Sequence, residues 1–335
     1  MILTTLHVDL GREWRGGQNQ ALLLAAELRR MGHTAELVAS ASSPLALRAR
    51  AAGITVHEVA NRLQAAFALR RLRGFNVVHC HEGHALTAAL MAGVRPVVSR
   101  RVAYPISRLH YRLAKRIVAV SQFVKASVLA CGFADKNVEV IYDGVTPPDE
   151  MAQGTRGLLG CIGWLIPDKG QELLIRAMPA VLARCPGCRM ILAGDGPERP
   201  FLECLAAELE VTAACRFAGM VDDVAAVYRS LDVFVFPSIA EPLGSSLLAA
   251  MAHGRPCVAL SGGAVPEVIE DGVNGLLVNE RDPATLATAI LRLLDDRDLA
   301  ARLGVAARGT IEQRFTVARM ASETVELYRR LLRSQ

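Results

Sequence analysis

Short apolar runs alternate with helical stretches along the chain, and this alternation constrains the fold more than any other feature. In the first half, Ile2–Val8, Thr34–Ala39, Asn76–His79, Pro96–Ser99, Ile117–Val120 and Val138–Tyr142 read as buried strands. Helical stretches at Gln18–Met31, closed by Gly32, at Gly83–Ala92 and at Gln122–Ala130 separate them. In the second half the strands are Leu158–Ile162, Arg189–Ala193, Cys215–Ala218, Val233–Phe236, Cys257–Leu260 and Leu276–Val278, and the pattern is helical after Asp282. Strands and helices of these lengths in alternation predict parallel sheets covered on both faces.

At 335 residues the chain exceeds what one core usually organises, so two domains are expected. Asp143–Arg156, rich in Gly, paired Pro and acids and without periodicity, is the natural joint. The predicted organisation is α/β with two doubly wound Rossmann-like domains, residues 1–145 and 146–316, and a cleft between them. A terminal helix over 317–335 has an apolar face expected to dock back on the first domain.

Charge divides unevenly. Residues 1–145 hold 19 Lys and Arg against 9 Asp and Glu, while the rest holds 19 against 24. The basic half suits an anionic partner, with an ordinary Arg-rich solvated surface as the alternative. Aromatics make up only 5% of the chain and no nucleic-acid motif occurs, which argues against nucleic acid. No apolar run is long enough to span a bilayer, and MILTTLHVDL reads as a first strand of a cytosolic protein and not as a leader. The basic stretch Ile106–Arg116 reads as an amphipathic helix, packed on the sheet or lying on an anionic membrane surface at the inner face. Eight scattered cysteines fit buried free thiols in a reduced compartment, with Cys185-Pro-Gly-Cys188 as a helix-to-strand turn.

The stretch Asp232–Leu260 offers the clearest chemistry. A buried strand ends in a turn with one carboxylate, Glu241, followed by Gly244-Ser245-Ser246 and a helix of small residues. Backbone N–H groups at such a helix start can hold a phosphate while the acid reads hydroxyls. Gly16-Gly17 opens the first helix and allows close backbone approach to a ligand, although no GxGxxG fingerprint is present. Lys169 precedes a helix in the second half and supplies a point charge for a phosphate. His79, His81 and His84 cluster at one strand end. They read as polar residues lining the cleft, with His81 or His84 near an acceptor, and no complete metal-ligand set accompanies them. Asp296-Arg297-Asp298 falls in a helical region and reads as surface charge.

The ordered set of GG at Gly16, KG at Lys169, AGDGPE at Ala193, FAGMV at Phe217, PSIAEPLG at Pro237, AMAHGRPCVA at Ala250 and GGAVPEVIEDGVNGLLV at Gly262 resembles glycosyltransferase family 4. These are retaining nucleotide-sugar transferases of GT-B architecture. The opening WRGGQ and the PVVSRRVAYP at Pro96 are similar to the subset that builds lipopolysaccharide core and other envelope glycans.

The resemblance implies a nucleotide diphospho-sugar on the second domain, with Glu241, Lys169 and His81 as catalytic groups. It implies donor contacts from Gly16, Gly17, Trp164, Met220, Leu243, Gly244, Ser245, Ser246 and Ala249. It also implies a glycan or glycolipid acceptor on the basic first domain, domain closure over the phosphates, and neither cofactor nor metal. Arg100, Arg101 and His84 are the candidates for an acceptor or a phosphate. Two positions depart from the pattern. Ala249 stands where a second glutamate usually holds the ribose, and Trp164 stands where an arginine often accompanies the lysine. A degenerate nucleotide- or glycan-binding protein is therefore an alternative, as is a nucleotide-sugar epimerase using Glu241 and Glu267.

Overall fold

A computed structural model describes residues 1–333 and divides into two units. The first comprises Met1–Gly144 together with the terminal helix Val317–Arg333, and the second comprises Val145–Thr316.

The first unit holds seven strands: β1 (Thr4–Asp9), β2 (Thr34–Ser40), β3 (Val56–Val59), β4 (Val77–Cys80), β5 (Val97–Arg100), β6 (Arg116–Ala119) and β7 (Val138–Val140). They form one parallel sheet in the order β3-β2-β1-β4-β5-β6-β7. The second unit holds six: β8 (Leu158–Ile162), β9 (Arg189–Ala193), β10 (Cys215–Gly219), β11 (Val233–Phe236), β12 (Cys257–Leu260) and β13 (Leu276–Val278). Their order, β10-β9-β8-β11-β12-β13, is again parallel and repeats the winding of the first sheet.

Both orders reverse direction once, between β1 and β4 and between β8 and β11. Loops leaving two such neighbouring strands diverge to opposite faces, so each sheet opens a crevice at its carboxyl edge at that point. The central strands are buried on both faces, which is why VFVF of β11 and CVAL of β12 are unbroken apolar runs. The terminal helix turns Val317, Met320, Ala321, Thr324, Val325, Leu327 and Tyr328 inward at three- and four-residue spacing. Several of these join Leu24, Leu28, Leu37 and Val97 in the core of the first unit. A separate core in the second unit gathers Leu159, Leu174, Met178, Val233, Val258 and Ile290.

Two expectations need correction. Ile106–Arg116 is not one helix: only Arg108–Tyr111 is helical, and Arg116 already belongs to β6. The Lys115 amide donates to Pro96 O and Arg95 Nε donates to Leu113 O, which draws this segment into the approach to the sheet. Leu109 and Leu113 are 77% and 49% exposed, so no apolar helix face packs on the sheet. Asp296-Arg297-Asp298 is more than surface charge. Asp296 caps the helix Arg297–Arg314 through Leu299 N, and Arg297 forms a bidentate pair with the buried Asp232. The pattern had assigned no element to residues 41–75, which form the helices Pro44–Ala51 and Arg62–Arg71 and the strand β3. Among the described residues no helix is long and apolar enough to cross a membrane.

Candidate functional site

The crevice of the second sheet is built from three loops, after β8, β11 and β12. After β8, a short 3-10 turn Pro167–Lys169 leads to Gly170, which has φ +65° and opens the helix Gln171–Arg184. A Cβ at position 170 would lie 2.1 Å from Pro237 O. Only glycine lets the two loops meet here, and they do so through Ile239 N donating to Asp168 O at 2.9 Å. The result carries Lys169 to Glu241, Nζ to Oε2 at 2.5 Å, while Ser238 Oγ donates to the same oxygen at 2.8 Å.

The loop after β12 holds Glu241 from the other side. Ala264 N donates to Glu241 O at 2.8 Å. A Cβ at Gly262 would fall 2.0 Å from Ile239 O, and one at Gly263, with φ +59°, would fall 2.2 Å from Glu241 O. The paired glycines therefore let backbone pack against backbone around the carboxylate. Glu241 is buried, and its Oε1 has no partner among the described residues, so it stands ready to accept from a ligand hydroxyl.

Three residues further on, Gly244 at φ +97° turns the chain into the helix Ser245–Ala252, whose N-terminus has no side-chain cap. Ser245 is exposed there, Ser246 and Ala249 are half-buried, and Ser245 and Ala249 share a helix face by their four-residue spacing. Trp164 and Met220 are exposed on the loops after β8 and β10. Leu243 is buried, so a donor contact at this position falls to its backbone. Uncapped N–H groups, a lysine and a half-engaged carboxylate together suit an anion that carries hydroxyls.

The crevice of the first sheet differs from the expectation. His79 and His81 do not line it: both are buried, and His7 on β1 joins them. The parallel register sets His7 beside His79. Arg101 Nη1 donates to His81 Nδ1 at 3.4 Å, which places the His81 proton on Nε2 and directs it to His7 Nδ1 at 2.9 Å. His7 then donates from Nε2 to Thr5 Oγ1 at 3.2 Å, and Thr5 donates to Thr34 O. His79 bonds Tyr328 Oη at 2.5 Å and Ser99 Oγ at 2.8 Å. All three rings are held neutral. Burial, then the Arg101 charge, pushes His7 down to about 3. Burial first, with neighbouring histidines and Arg101, holds His79 and His81 well below the usual range.

Their ring nitrogens lie within 4.8 Å of one another, close enough to hold a metal ion. Yet their hydrogen bonds are complete without one, and a guanidinium faces them, so the donor set suits neutral imidazoles better than a divalent cation. His81, with both nitrogens engaged, presents no free base at the crevice.

Arg101 is committed as well, its Nε 3.1 Å from both oxygens of the buried Asp143. Arg100 donates to Tyr104 O and lies over the Tyr111 ring, 5.9 Å from its centroid. Gly16 and Gly17 are the first residues of the helix Gly16–Arg30, without a side-chain cap, and the nearest atom to a Cβ at Gly17 would be Arg101 Cδ at 3.8 Å. Space therefore remains for a ligand against that backbone. Beside it lies an open groove of about 480 Å3, lined in part by Arg12, Arg15, Gln18, Asn61, Arg62 and His84. Of the expected acceptor residues, only His84 lies there.

His7, Asp9, Gln18, Asp143 and Ser238 were not singled out in the sequence. For His7 a signal existed: Thr5, His7 and Asp9 alternate along β1 on one face, as His79 in β4 and His81 just past its end do.

Residues 14–147 match the family described as Glycosyltransferase Family 4, and residues 156–296 match Glycosyl transferases group 1. The chain belongs to glycosyltransferase family 4. Among its relatives, an uncharacterised glycosyltransferase of Methanocaldococcus jannaschii is 32% identical over 64% of this chain and 60% of its own. A GDP-mannose-dependent phosphatidylinositol monomannoside mannosyltransferase of Mycobacterium tuberculosis is 31% identical over 52% of this chain and 48% of its own. A lipopolysaccharide core biosynthesis glycosyltransferase of Rhizobium meliloti is 37% identical over 46% and 44%. The matches thus span about half the length of these curated relatives.

Among solved structures, Anabaena HepE in complex with UDP-glucose aligns at TM-score 0.85 and 22% identity, over 97% of this chain and 99% of its own. A glycosyltransferase from Rickettsia africae aligns at 0.85 and 19% over the full length of both. At those identities the likeness concerns the fold, which is that of GT-B glycosyltransferases built from two Rossmann-like domains.

Proposed function

We propose that this family-4 protein is a retaining, metal-independent glycosyltransferase. It would move a hexose from a nucleotide diphospho-sugar to an envelope glycan or lipopolysaccharide acceptor. The observation that carries the reading is the Lys169–Glu241 pair set beside the uncapped start of the helix Ser245–Ala252. The diphosphate lies at that helix start, where Lys169 and the backbone N–H groups stabilise the charge that builds on the leaving group. Glu241 Oε1 accepts from sugar hydroxyls and orients the anomeric carbon toward the acceptor. The names of the relatives, a GDP-mannose-dependent transferase and a lipopolysaccharide core enzyme, support the substrate classes. A cytoplasmic setting follows from a nucleotide-sugar donor. The membrane-surface reading of residues 106–116 loses its basis, because that helix does not form.

A panel of UDP-, GDP- and ADP-hexoses, followed for binding and for slow donor cleavage, tests the reading. One donor is expected to bind and turn over. Binding without turnover, even with envelope extract as acceptor, would favour instead a nucleotide-binding protein that has lost activity, the reading that Ala249 motivates.

Ala249 also yields a prediction. Its position on the Ser245 face puts a side chain there within reach of a nucleotide whose phosphates sit at the helix start. Ala249→Glu supplies a charged acceptor for the ribose hydroxyls, worth about 1.5–3 kcal/mol, or roughly 10- to 150-fold in donor affinity. Calorimetric titration with the bound donor checks it, and unchanged or weaker binding would count against this placement of the ribose.

A further inference from the structure

The groove beside Gly16-Gly17 is unlike the rest of the first crevice, because two of its guanidinium groups, on Arg12 and Arg62, keep N–H donors that no protein group takes up among the described residues. Arg62 opens the helix Arg62–Arg71 and makes no hydrogen bond or ion pair among the described residues, and the His84 ring makes none either. Arg12 is anchored across the groove by Nη2 donating to Ala60 O at 3.3 Å, which leaves its other N–H groups free to face a ligand. Arg15 pairs with Glu13, the one acid among the lining residues, at 2.5 Å. Among the lining side chains themselves three guanidinium groups stand against one carboxylate, a surplus of two positive charges, with the Asp9 and Glu82 carboxylates bonded to Gly11, Gln18, Leu10 and His84 of the wall.

Its remaining walls are chemically mixed. Leu10 and Ala60 give apolar contact, while the Gln18 and Asn61 side chains carry amides. Asn61 uses its Oδ1 to cap the helix through Gln64 N, so its NH2 group is left to donate to a ligand. Gln18 Nε2 is held by Asp9, which turns its Oε1 outward as an acceptor.

We propose that this groove binds a sugar carrying a phosphomonoester. The dianion is matched by Arg12 and Arg62, and the ring hydroxyls by Asn61, Gln18 and His84. Forked guanidinium donors suit phosphate oxygens, and a surplus of two charges suits a dianion better than a monoanion. The proposal rests on the transferase reading, since it names the class of acceptor. In place of Arg100, bonded to Tyr104 O, and Arg101, paired with Asp143, it relies on Arg62, which has no partner among the described residues, and Arg12, bonded only through Nη2 to Ala60 O.

Titration calorimetry on the full chain tests it with glucose 6-phosphate, glucuronate, methyl α-glucoside and inorganic phosphate, each with and without saturating UDP. Glucose 6-phosphate is expected to bind alone and equally well with UDP present. It should bind about ten-fold or more tightly than methyl α-glucoside, and more weakly as salt rises. Arg62→Ala, which has no internal bond to lose, and Arg12→Ala should each weaken it about ten-fold, and Arg62→Lys should recover part of the loss.

Absence of binding, binding unchanged in both alanine variants, or equal binding of glucuronate would overturn the phosphate assignment. Displacement by UDP would instead assign the groove to the donor diphosphate and overturn the acceptor claim. Lys169→Ala separates the two readings, because it should impair donor cleavage and leave glucose 6-phosphate binding intact. Donor turnover without sugar-phosphate binding sinks the groove alone, and sugar-phosphate binding without turnover of any donor sinks the transferase alone.

Discussion

Replacing Lys169 by alanine is expected to lower kcat for donor cleavage by about 10²–10³-fold, the usual effect of removing one preorganised donor to a developing anion. The reason lies in the geometry of the pair. Lys169 holds Glu241 Oε2 at 2.5 Å, with Ser238 on the same oxygen, so the ammonium is fixed before any ligand arrives. In the proposed placement its remaining N–H groups serve a diphosphate at the Gly244 turn. If they act only on charge that appears in the transition state, kcat and kcat/KM should fall together and KM should change little.

A purely structural lysine predicts something else. Losing it leaves the Glu241 carboxylate, buried and 10% exposed at its side chain, without its cation, a destabilisation of about 1–3 kcal/mol. A melting-point drop with unchanged kcat would therefore reassign Lys169 to holding the loop. Glu241→Gln separates the partners further. The amide keeps the shape and loses the charge, so hydroxyl recognition should suffer more than phosphate stabilisation, and KM for the donor should rise along with the fall in kcat. The double variant reads the coupling, which for a contacting pair amounts to about 0.5–3 kcal/mol.

How much of this was legible beforehand follows from where the signal resides. The central strands β8, β11 and β12 of the second unit stand where their apolar runs placed them, because strands buried on both faces read as short unbroken apolar runs bounded by turn residues. Edge elements were less visible. VHEV of β3 is only half-buried, and the Ala- and Arg-rich helices beside it carry weak apolar faces.

Glu241 and Lys169 could be named from their motifs, and the structure adds why Gly262 and Gly263 follow in the chain: they admit the backbone that seats the carboxylate. The roles of His81 and Arg101 were not readable. A histidine at a strand end looks the same whether it faces solvent or a second histidine. What decides is the register of β1 against β4 and the loop that carries Asp143 to Arg101, both of which are tertiary facts. The same holds for Asp232 and Arg297, 65 residues apart in sequence and joined by two hydrogen bonds.

The buried histidines predict that the first unit loses stability steeply in mild acid. Each has a folded-state pKa below its unfolded value of 6.5, so each contributes stability that is complete above pH 6.5 and lost as pH falls toward the folded value, about 3 for His7. One such group loses about 1.4 kcal/mol per pH unit in that window, and three lose about 4 together. Between pH 6.5 and 5 the loss is then about 5 kcal/mol, on the scale of a whole domain's stability.

The neighbouring acids oppose this. Burial raises Asp9, Glu82 and Asp143, and a raised acid regains stability as pH falls, but only once pH nears its own folded-state value. The Arg101 guanidinium beside His81 adds to the penalty of protonating the cluster.

Each unit holds one of the chain's two tryptophans, Trp14 in the first and Trp164 in the second, so fluorescence of Trp14 in a Trp164→Phe background follows the first unit alone. Its urea midpoint should drop sharply from pH 7 to pH 5. His7→Leu should be less stable at pH 7, because the His81 Nε2 proton loses its acceptor, yet its pH slope should be shallower by about 1.4 kcal/mol per unit. A midpoint that stays level over this range, or histidine resonances of the folded protein titrating near pH 6.5, would mean that the three rings are open to protonation in the folded state and that the neutral chain from Arg101 to Thr34 does not hold them.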